Sequence, residues 1–475
     1  MLWLALRLPL LPLEACPQAP PSAVIAHERI VACDAIALQG GVVPGMRLAD
    51  AWALLPALSV RERDAGREAA LLESLACWAG GFTSEVCLDP PAVLLLEVRG
   101  SLRLFGGLDA LLDRIVAAAS GLGHVVRVAI APTPLAARWL ATVPDDAVRP
   151  RCLSLSGLAA TLGPLPLDAL ELPDARMRRL AGFGVRSVGD LLRLPRAGLA
   201  RRLGAGFADM LARALGERPD PRVRFRFPEH FRQAIELPAA IEDASRLLFV
   251  ARRLVLCLCG WLAERMGGVT VCEFRLSHVR TATTILRLEL ATPTRDAERI
   301  GRVLRERLER LILAAPVVRI ELLAAHCEAL PGRSGGLFGD AATGEGVPQL
   351  VERLQARLGP DNVRGLAVGI GHRPEVASLL VAPDEGRGRS GLAPRPCWLL
   401  PQPQALREEC GRPQHHGPLT LLAGPERIES GWWDEGENDA VGDVRRDYFI
   451  AISSRHEWLW IFRCPEGWFL HGFYA

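Results

Sequence analysis

"MLWLALRLPLLPLEAC", residues 1–16, is either a secretion signal or the first strand of a buried domain. Leu2 to Leu13 is apolar enough for the hydrophobic region of a signal. Leu13-Glu14-Ala15-Cys16 loosely resembles a lipoprotein cleavage site, with Cys16 as the lipid acceptor. However, no basic residue precedes the apolar run, Arg7 interrupts it, Pro9 and Pro12 break any helix, and Glu14 stands beside the cleavage point. These features favour a short buried strand, Leu2 to Leu8, ending at Pro9, in a cytoplasmic protein.

Working outward, 475 residues suffice for roughly three or four domains. A chain that is 49% hydrophobic and 23% charged is an ordinary folded protein, and none of its apolar runs is long enough to span a bilayer, so no membrane partner is expected. The net charge of only +2 means that any surface for nucleic acid must be a local one. The chain contains no lysine, so every basic side chain is an arginine, a residue suited to bidentate phosphate contact. Its twelve cysteines are scattered, and the closest pair, Cys257 and Cys259, lies in an apolar helical stretch. Neither these nor His415-His416 have metal-ligand spacing, which predicts buried thiols and neither metal nor cofactor.

Residues 17–76 mix short strands and helices, with GVVPGM (41–46) as a turn into the helix RLADAWALLP. Two buried strands follow, Ala92 to Val98 and the one in VVRVAIA, each feeding a helix, the first of these from Leu108 to Ala119. That grammar predicts an α/β domain on a central sheet. From about Pro166 only short helices follow, and Gly182-Phe183-Gly184 between two helical runs has the pattern of a helix-hairpin-helix, or of an ordinary helix connection. Residues 222–328 read as βαββαβ. The first strand is near Phe231 to Leu237, and Leu247, Ala251, Leu254, Val255, Leu258 and Trp261 line one face of the first helix. Strands at Val269 to Leu276 and Ile285 to Leu290 come next, then a helix and the strand VVRIELLA. Beyond a Gly-rich linker, a short helix is predicted over Val347 to Leu358. The last eighty or so residues hold six of the eleven tryptophans and both tyrosines, which predicts a small β-rich domain.

This order of parts resembles a Y-family translesion DNA polymerase over residues 1 to about 328. Glu14, GVVPGM, LLLEVRGSLRLFGG, AIAPTPLAARWLA and GVRSVGDL carry the resemblance, in the family's order. It implies an α/β and α+β multidomain fold with a right hand: a palm over 1–165 with fingers inserted at about 15–76, a helical thumb over 166–221, and a βαββαβ little finger over 222–328. A linker over 329–394 and a small aromatic-rich C-terminal domain over 395–475 complete the chain.

Placed on this sequence, the family's catalytic carboxylates fall on Ala5, Arg7, Ala92 and Val93. Its triphosphate contacts fall on Ala35, Leu38, Thr133 and Pro134. Two-metal phosphoryl transfer needs Mg²⁺ ions about 3.5–4 Å apart, each held by oxygen ligands at about 2.0–2.1 Å. Alanine and valine supply none, and an arginine about 4 Å from a cation is repelled by roughly 4 kcal/mol at intermediate dielectric. The resemblance therefore implies a pseudo-polymerase and not an enzyme. The alternative is an active polymerase with displaced ligands such as Asp34 or Glu97, although one surviving carboxylate cannot hold two metals. The first hairpin of the thumb is degraded, because its Gly-x-Gly falls on Glu171-Leu172-Pro173.

The tail stretches GPERIESGWWD, VRRDYF and GWFLHGFYA, with the lost carboxylates, resemble the inactive Y-family homologues of bacterial SOS mutagenesis cassettes. That implies a scaffold in error-prone translesion synthesis at damaged or primer-template DNA, linking the β sliding clamp, a RecA-like accessory protein and an error-prone C-family polymerase. Candidate DNA contacts are Gly182, Gly184, Arg222, Arg224 and Arg226, with Arg275 and Arg287 on the little finger. In an extended chain the first three arginines share a face about 6.6–6.8 Å apart, close to a run of phosphates, though the same pattern suits a solvated strand face. The linker's RSGGLFGD offers Leu337 and Phe338 to the clamp, with Ser334 where such peptides carry Gln. Trp432, Trp433, Phe473 and Tyr474 are candidates for a partner surface, or for the core of the last domain.

Overall fold

The opening stretch is a strand: β1 (Trp3–Arg7) is central in a sheet of order β5-β6-β1-β7. A computed structural model describes residues 1–143, 149–330, 347–369, 372–383, 395–430 and 444–474. After β1 come α1 (Leu11–Ala15), β2 (Ser22–Ala26), β3 (Arg29–Cys33), α2 (Ala35–Gln39), α3 (Leu48–Leu54) and β4 (Ser59–Glu62). Strands β2 to β4 form a separate three-stranded sheet with its own small core around Ile30, Val42 and Leu58, within the stretch expected to be the fingers. The chain returns through α4 (Ala65–Ala79), β5 (Val86–Asp89), β6 (Val93–Glu97), α5 (Leu108–Gly121), β7 (Arg127–Ala131) and α6 (Pro134–Leu140).

All neighbours in the palm sheet are antiparallel, yet both of its faces are covered. Leu4, Leu6, Leu94 and Leu96 are fully buried on one face. On the other, Trp3, Ala5, Val93, Leu95 and Ala129 share one core with α6 and the thumb. That is why the strands read as continuous apolar runs rather than alternating ones. The thumb comprises α7 (Leu158–Leu162), α8 (Asp174–Gly182), α9 (Val188–Arg193), α10 (Arg196–Leu203) and α11 (Ala205–Ala214).

The little finger follows as β8 (Phe231–Ile241), α12 (Leu247–Glu264), β9 (Gly267–His278), β10 (Thr284–Thr294), α13 (Ala297–Glu309) and β11 (Val317–Ala324). The βαββαβ order holds, with sheet order β10-β9-β11-β8. All six apolar residues expected on one face of α12 are buried, with Leu247, Leu254, Val255 and Leu258 each contributing about 1.5–3 kcal/mol. The little finger is seated on the palm where α12 crosses α4. A Cβ added to Gly260 would lie 2.3 Å from the Cys77 carbonyl oxygen and 2.5 Å from that of Trp78, so only glycine allows this approach. Strand β12 (Glu328–Ala329) pairs with β9. Helix α14 (Val347–Leu358) has the predicted bounds, and Glu352 pins it to the little finger through Arg299 Nη2 at 2.5 Å and the Ala291 amide at 2.7 Å.

The chain divides into two compact units, Met1–Arg353 and Leu354–Ala475. In the second, β13 (Gly365–Val368) and β14 (Ser378–Val381) form a hairpin inside the stretch expected to be linker. Then β15 (Trp398–Glu409), β16 (Arg412–Gln414), β17 (Thr420–Ser430), β18 (Val444–Ile452), β19 (Trp458–Cys464) and β20 (Gly467–Phe473) make one sheet of order β16-β15-β20-β19-β18-β17. It packs a core on each face, one around Leu459, Ile461 and Trp468, the other around Tyr448, Trp460 and Phe462.

Candidate nucleic-acid interface

The palm floor is closed. Ala5 and Val93 are 0% and 1% exposed inside the core shared with the thumb, and Ala92 is held by its carbonyl, which accepts from the Leu8 amide at 2.9 Å. Arg7, opposite Val93 on β6 and Arg127 on β7, turns away from the sheet and pairs with Glu171 of the thumb at 2.5 Å. Glu171 also takes Arg138 at 2.8 Å, Arg138 reaches Asp89 at 3.1 Å, and Arg222 joins Asp89 at 3.1 Å to Asp220 at 2.8 Å. Three guanidiniums and three carboxylates thus tie the palm to the thumb and to the chain leaving it. Burial alone would raise the Glu171 carboxyl, but hydrogen bonds and charge from Arg7 and Arg138 overcome this and hold it below the usual range.

Glu171 stands where the family resemblance puts a hairpin glycine, and its φ of 48° keeps the left-handed backbone that glycine adopts readily. The side chain at this position joins the thumb to the palm through Arg7 and Arg138. The rival carboxylates serve the fold: Asp34 caps α2 through the Ala37 amide at 2.8 Å and holds the Ser22 amide at 2.6 Å, while Glu97 accepts from the Leu2 amide at 2.7 Å. Thr133 caps α6 and donates to the Ala214 carbonyl at 2.7 Å, and Pro134 opens that helix. Ala35 and Leu38 are exposed on α2. Among the described residues, no group of three or more His, Cys, Asp or Glu could hold a metal ion, and no helix is long and apolar enough to cross a membrane.

The expected row of three equivalent arginines at 222, 224 and 226 is not what forms, because the surrounding acids differ. Residues 221–230 are not a strand but a tether along the palm, fixed by the Phe225 amide on the Val86 carbonyl at 2.7 Å. Arg222 is turned inward to Asp89 and Asp220, Arg224 pairs with Glu85 at 2.6 Å while remaining 70% exposed, and Arg226 is exposed. On the little finger, Arg275 pairs with Glu273 at 2.6 Å, Arg287 with Glu289 at 3.0 Å, and Arg232 with Glu321 at 2.9 Å. That sheet face is a charge-balanced lattice.

The thumb differs. Arg176, Arg178, Arg179, Arg186, Arg201 and Arg202 are exposed, and among the described residues no carboxylate lies within 4.0 Å of any of them. Arg202 lies over the Phe183 ring at 4.8 Å, placing its charge beside the Gly182–Gly184 turn. Gly184 has the positive φ of 73° that the turn needs, but the amides of Phe183, Gly184 and Val185 are bonded to carbonyls of α8 at 3.0, 3.0 and 3.2 Å. These three amides are therefore not free to hold a phosphate. Sequence reasoning passed over these arginines, although residues 174–202 carry eight of them against two aspartates.

In the second unit the tail stretches meet in one buried cluster. The Tyr448 hydroxyl lies 2.8 Å from His471 Nδ1, Arg446 donates to it at 3.1 Å and pairs with Glu375, and Trp460 stacks on Tyr448 at 4.1 Å. Burial pushes the His471 imidazole down, keeping it neutral as Tyr448's partner. Arg395 grips Glu426 with two bonds of 2.6 Å, and Arg427 grips Asp447 at 2.7 and 3.0 Å. Phe473 and Tyr474 are half-buried against the two cores. Trp432, Trp433, Ser334, Leu337 and Phe338 lie outside the described residues.

A four-stranded palm sheet, inserted fingers, a helical thumb and a βαββαβ little finger, in this order, define a polymerase-type right hand with a sheet domain appended. Solved structures similar to the chain include a ternary complex of Dbh, at 14% identity and a TM-score of 0.40, and DinB from Sulfolobus solfataricus, at 14% and 0.38; each covers 70% of this chain and 100% of its own. No family model matches. Protein ImuB from two strains of Caulobacter vibrioides, NA1000 and ATCC 19089, is 30% identical over 472 residues, 92% of this chain and the whole of the relative. The chain belongs to the ImuB family, and a role in DNA damage tolerance comes with that membership.

Proposed function

We propose that the chain is a non-catalytic, cytoplasmic scaffold of SOS-induced error-prone translesion synthesis. It holds damaged or primer-template DNA while presenting the sliding clamp, a RecA-like accessory protein and an error-prone C-family polymerase to one another, and it uses no cofactor. The observation that carries this reading is the palm floor: alanine and valine stand in an apolar core where two-metal chemistry requires carboxylates, and Arg7 is committed to Glu171. The unpaired arginines of the thumb supply the phosphate grip such a scaffold needs. The partners rest on the tail stretches and on Leu337-Phe338.

Primer extension with Mg²⁺ or Mn²⁺ tests the first half. The expected result is no incorporation above a protein-free control. Template-dependent synthesis by purified protein carrying Leu337→Ala and Phe338→Ala, which cannot bring a polymerase along through the clamp, would overturn it. Pull-downs of the three partners by the full chain and by chains ending near residue 328 or 390 test the second half; retention of every partner by the shortest chain would contradict it.

A further inference from the structure

The hairpin between α8 and α9 carries an aromatic ring that the fold does not use. Phe183 stands at its tip, 44% exposed, whereas Leu180, Val185 and Val188 around it are buried in the core shared with the palm. Glycines flank it on both sides, and a Cβ added to Gly182 or Gly184 would meet nothing within 4 Å. The positive φ of Gly184 calls for glycine, but Gly182, the last residue of α8, has no such need and weakens the helix it ends. What glycine leaves there is open space beside the ring. Arg202 of α10 lies over the ring, with Cζ 4.8 Å from its centroid.

A hairpin between two helices can hold a DNA phosphate on free backbone amides, and this one has none to offer from Phe183 to Asp190. The amides of Phe183, Gly184 and Val185 donate to carbonyls of α8, and those of Arg186 and Ser187 to Asp190 Oδ2 at 3.2 and 3.1 Å. Val188 and Gly189 donate to the carbonyls of Leu165 and Gly163, both at 2.9 Å, and the Asp190 amide to Ser187 Oγ at 3.1 Å. The Asp190 carboxylate itself stands at the start of α9, where it repels a phosphate. What remains on the surface is the ring and a set of guanidiniums. Arg176 and Arg179 precede Phe183 by seven and four residues, so the three lie along one face of α8 and its C-cap. Arg179 and the ring are separated by about 6 Å of helix rise. Neither arginine has a carboxylate within 4.0 Å among the described residues.

We propose that Phe183 and Arg202 form a stacking platform for an unpaired nucleobase, so that the thumb grips single-stranded DNA. A base inside a duplex has both faces covered by its neighbours, and only an unpaired one can lay a face on the ring. Stacking accepts every base and needs no sequence, Arg202 adds a cation to the ring, and Arg176 and Arg179 meet phosphates of the same strand. The inference rests on the thumb being a DNA grip and adds which form of DNA it selects. An apolar pocket on a protein partner would take Phe183 but has no use for the arginines alongside.

Anisotropy on the full-length protein at fixed salt tests it, with oligothymidylate, a strand of the same length made of abasic sites, and a duplex of that length. Oligothymidylate should bind at least about fivefold more tightly than the abasic strand, which keeps the phosphates and lacks the bases. Phe183→Ala and Phe183→Leu should remove that preference, and Phe183→Trp should keep it. None of the three should alter the salt slope, since no charge changes, or the affinity for duplex. Because the ring is exposed, all three should melt at the parent's temperature. If the parent binds neither strand nor duplex, the thumb is not a DNA grip and the platform falls with it. If DNA binds but Phe183→Ala keeps the parent's preference for bases, or weakens duplex as much as single strand, the DNA grip stands and the platform alone is overturned.

Discussion

The thumb and the little finger are both rich in arginine and use it in opposite ways. On the little-finger sheet, Arg275 and Glu273, and likewise Arg287 and Glu289, stand two residues apart on one strand, so the pleat puts them side by side on one face. On the thumb, Arg176, Arg178 and Arg179 of α8 and Arg201 and Arg202 of α10 have no carboxylate within 4.0 Å among the described residues, although Arg196 at the start of α10 pairs with Glu217. A count of cations along a sequence therefore says little about phosphate binding. What matters is whether each cation already has a partner, because a paired arginine must lose its carboxylate before it can release a counter-ion from DNA.

The comparison can be broken most sharply at the thumb. Replacing Arg179, Arg186 and Arg202 by Gln should flatten the dependence of log affinity on log salt by roughly 2–3 units, at about 0.7–0.9 per phosphate contact. An unchanged slope in a salt titration would place the grip elsewhere. Next in size, Glu273→Gln with Glu289→Gln should free two arginines and steepen the slope by roughly 1–2 units. If the slope stays put, the little-finger face does not meet DNA at all. Arg275→Gln with Arg287→Gln should change the slope by less than about half a unit, because those charges are already spoken for.

The subtlest test concerns a third use of arginine, the clasp on Glu171. Its carboxyl is depressed in the folded state, so the stability it contributes is present above the ordinary glutamate range of about 4.3 and fades as pH falls through its lower folded value. Thermal unfolding of the parent and of Glu171→Gln should differ at neutral pH and converge in acid. A constant gap would mean that Glu171 acts through shape rather than charge.

Local and periodic features were legible in the sequence. The buried face of α12 follows from its 3.6-residue repeat, and the alternation of strand and helix gave the little-finger topology, because both patterns are written within a few residues. The hairpin β13–β14 was missed because strands of four residues among glycines and prolines carry no period. The commitment of Arg222 to Asp89 was hidden for another reason: the two are 133 positions apart, and nothing near either residue announces the other. Glu171 was read as a lost glycine, whereas what replaced it, a charge aimed at Arg7, depends on the palm lying beneath. The tail stretches were read as motifs, and their chemistry, Tyr448 on His471 with Arg446 alongside, emerges only once β18 and β20 lie in one sheet.

The glycine crossing of α12 over α4 also bears on how the molecule assembles. The side chains brought together there, such as Ser74 and Cys257, are 183 positions apart, whereas the thumb is built from helices that follow one another directly. Closing so long a loop is entropically unfavourable until both helices exist, so the thumb should be ordered early and the joint with the little finger should form last. Gly260→Ala, which the bare crossing cannot accommodate, should then speed the release of the little finger in unfolding experiments while leaving the first refolding phase unchanged.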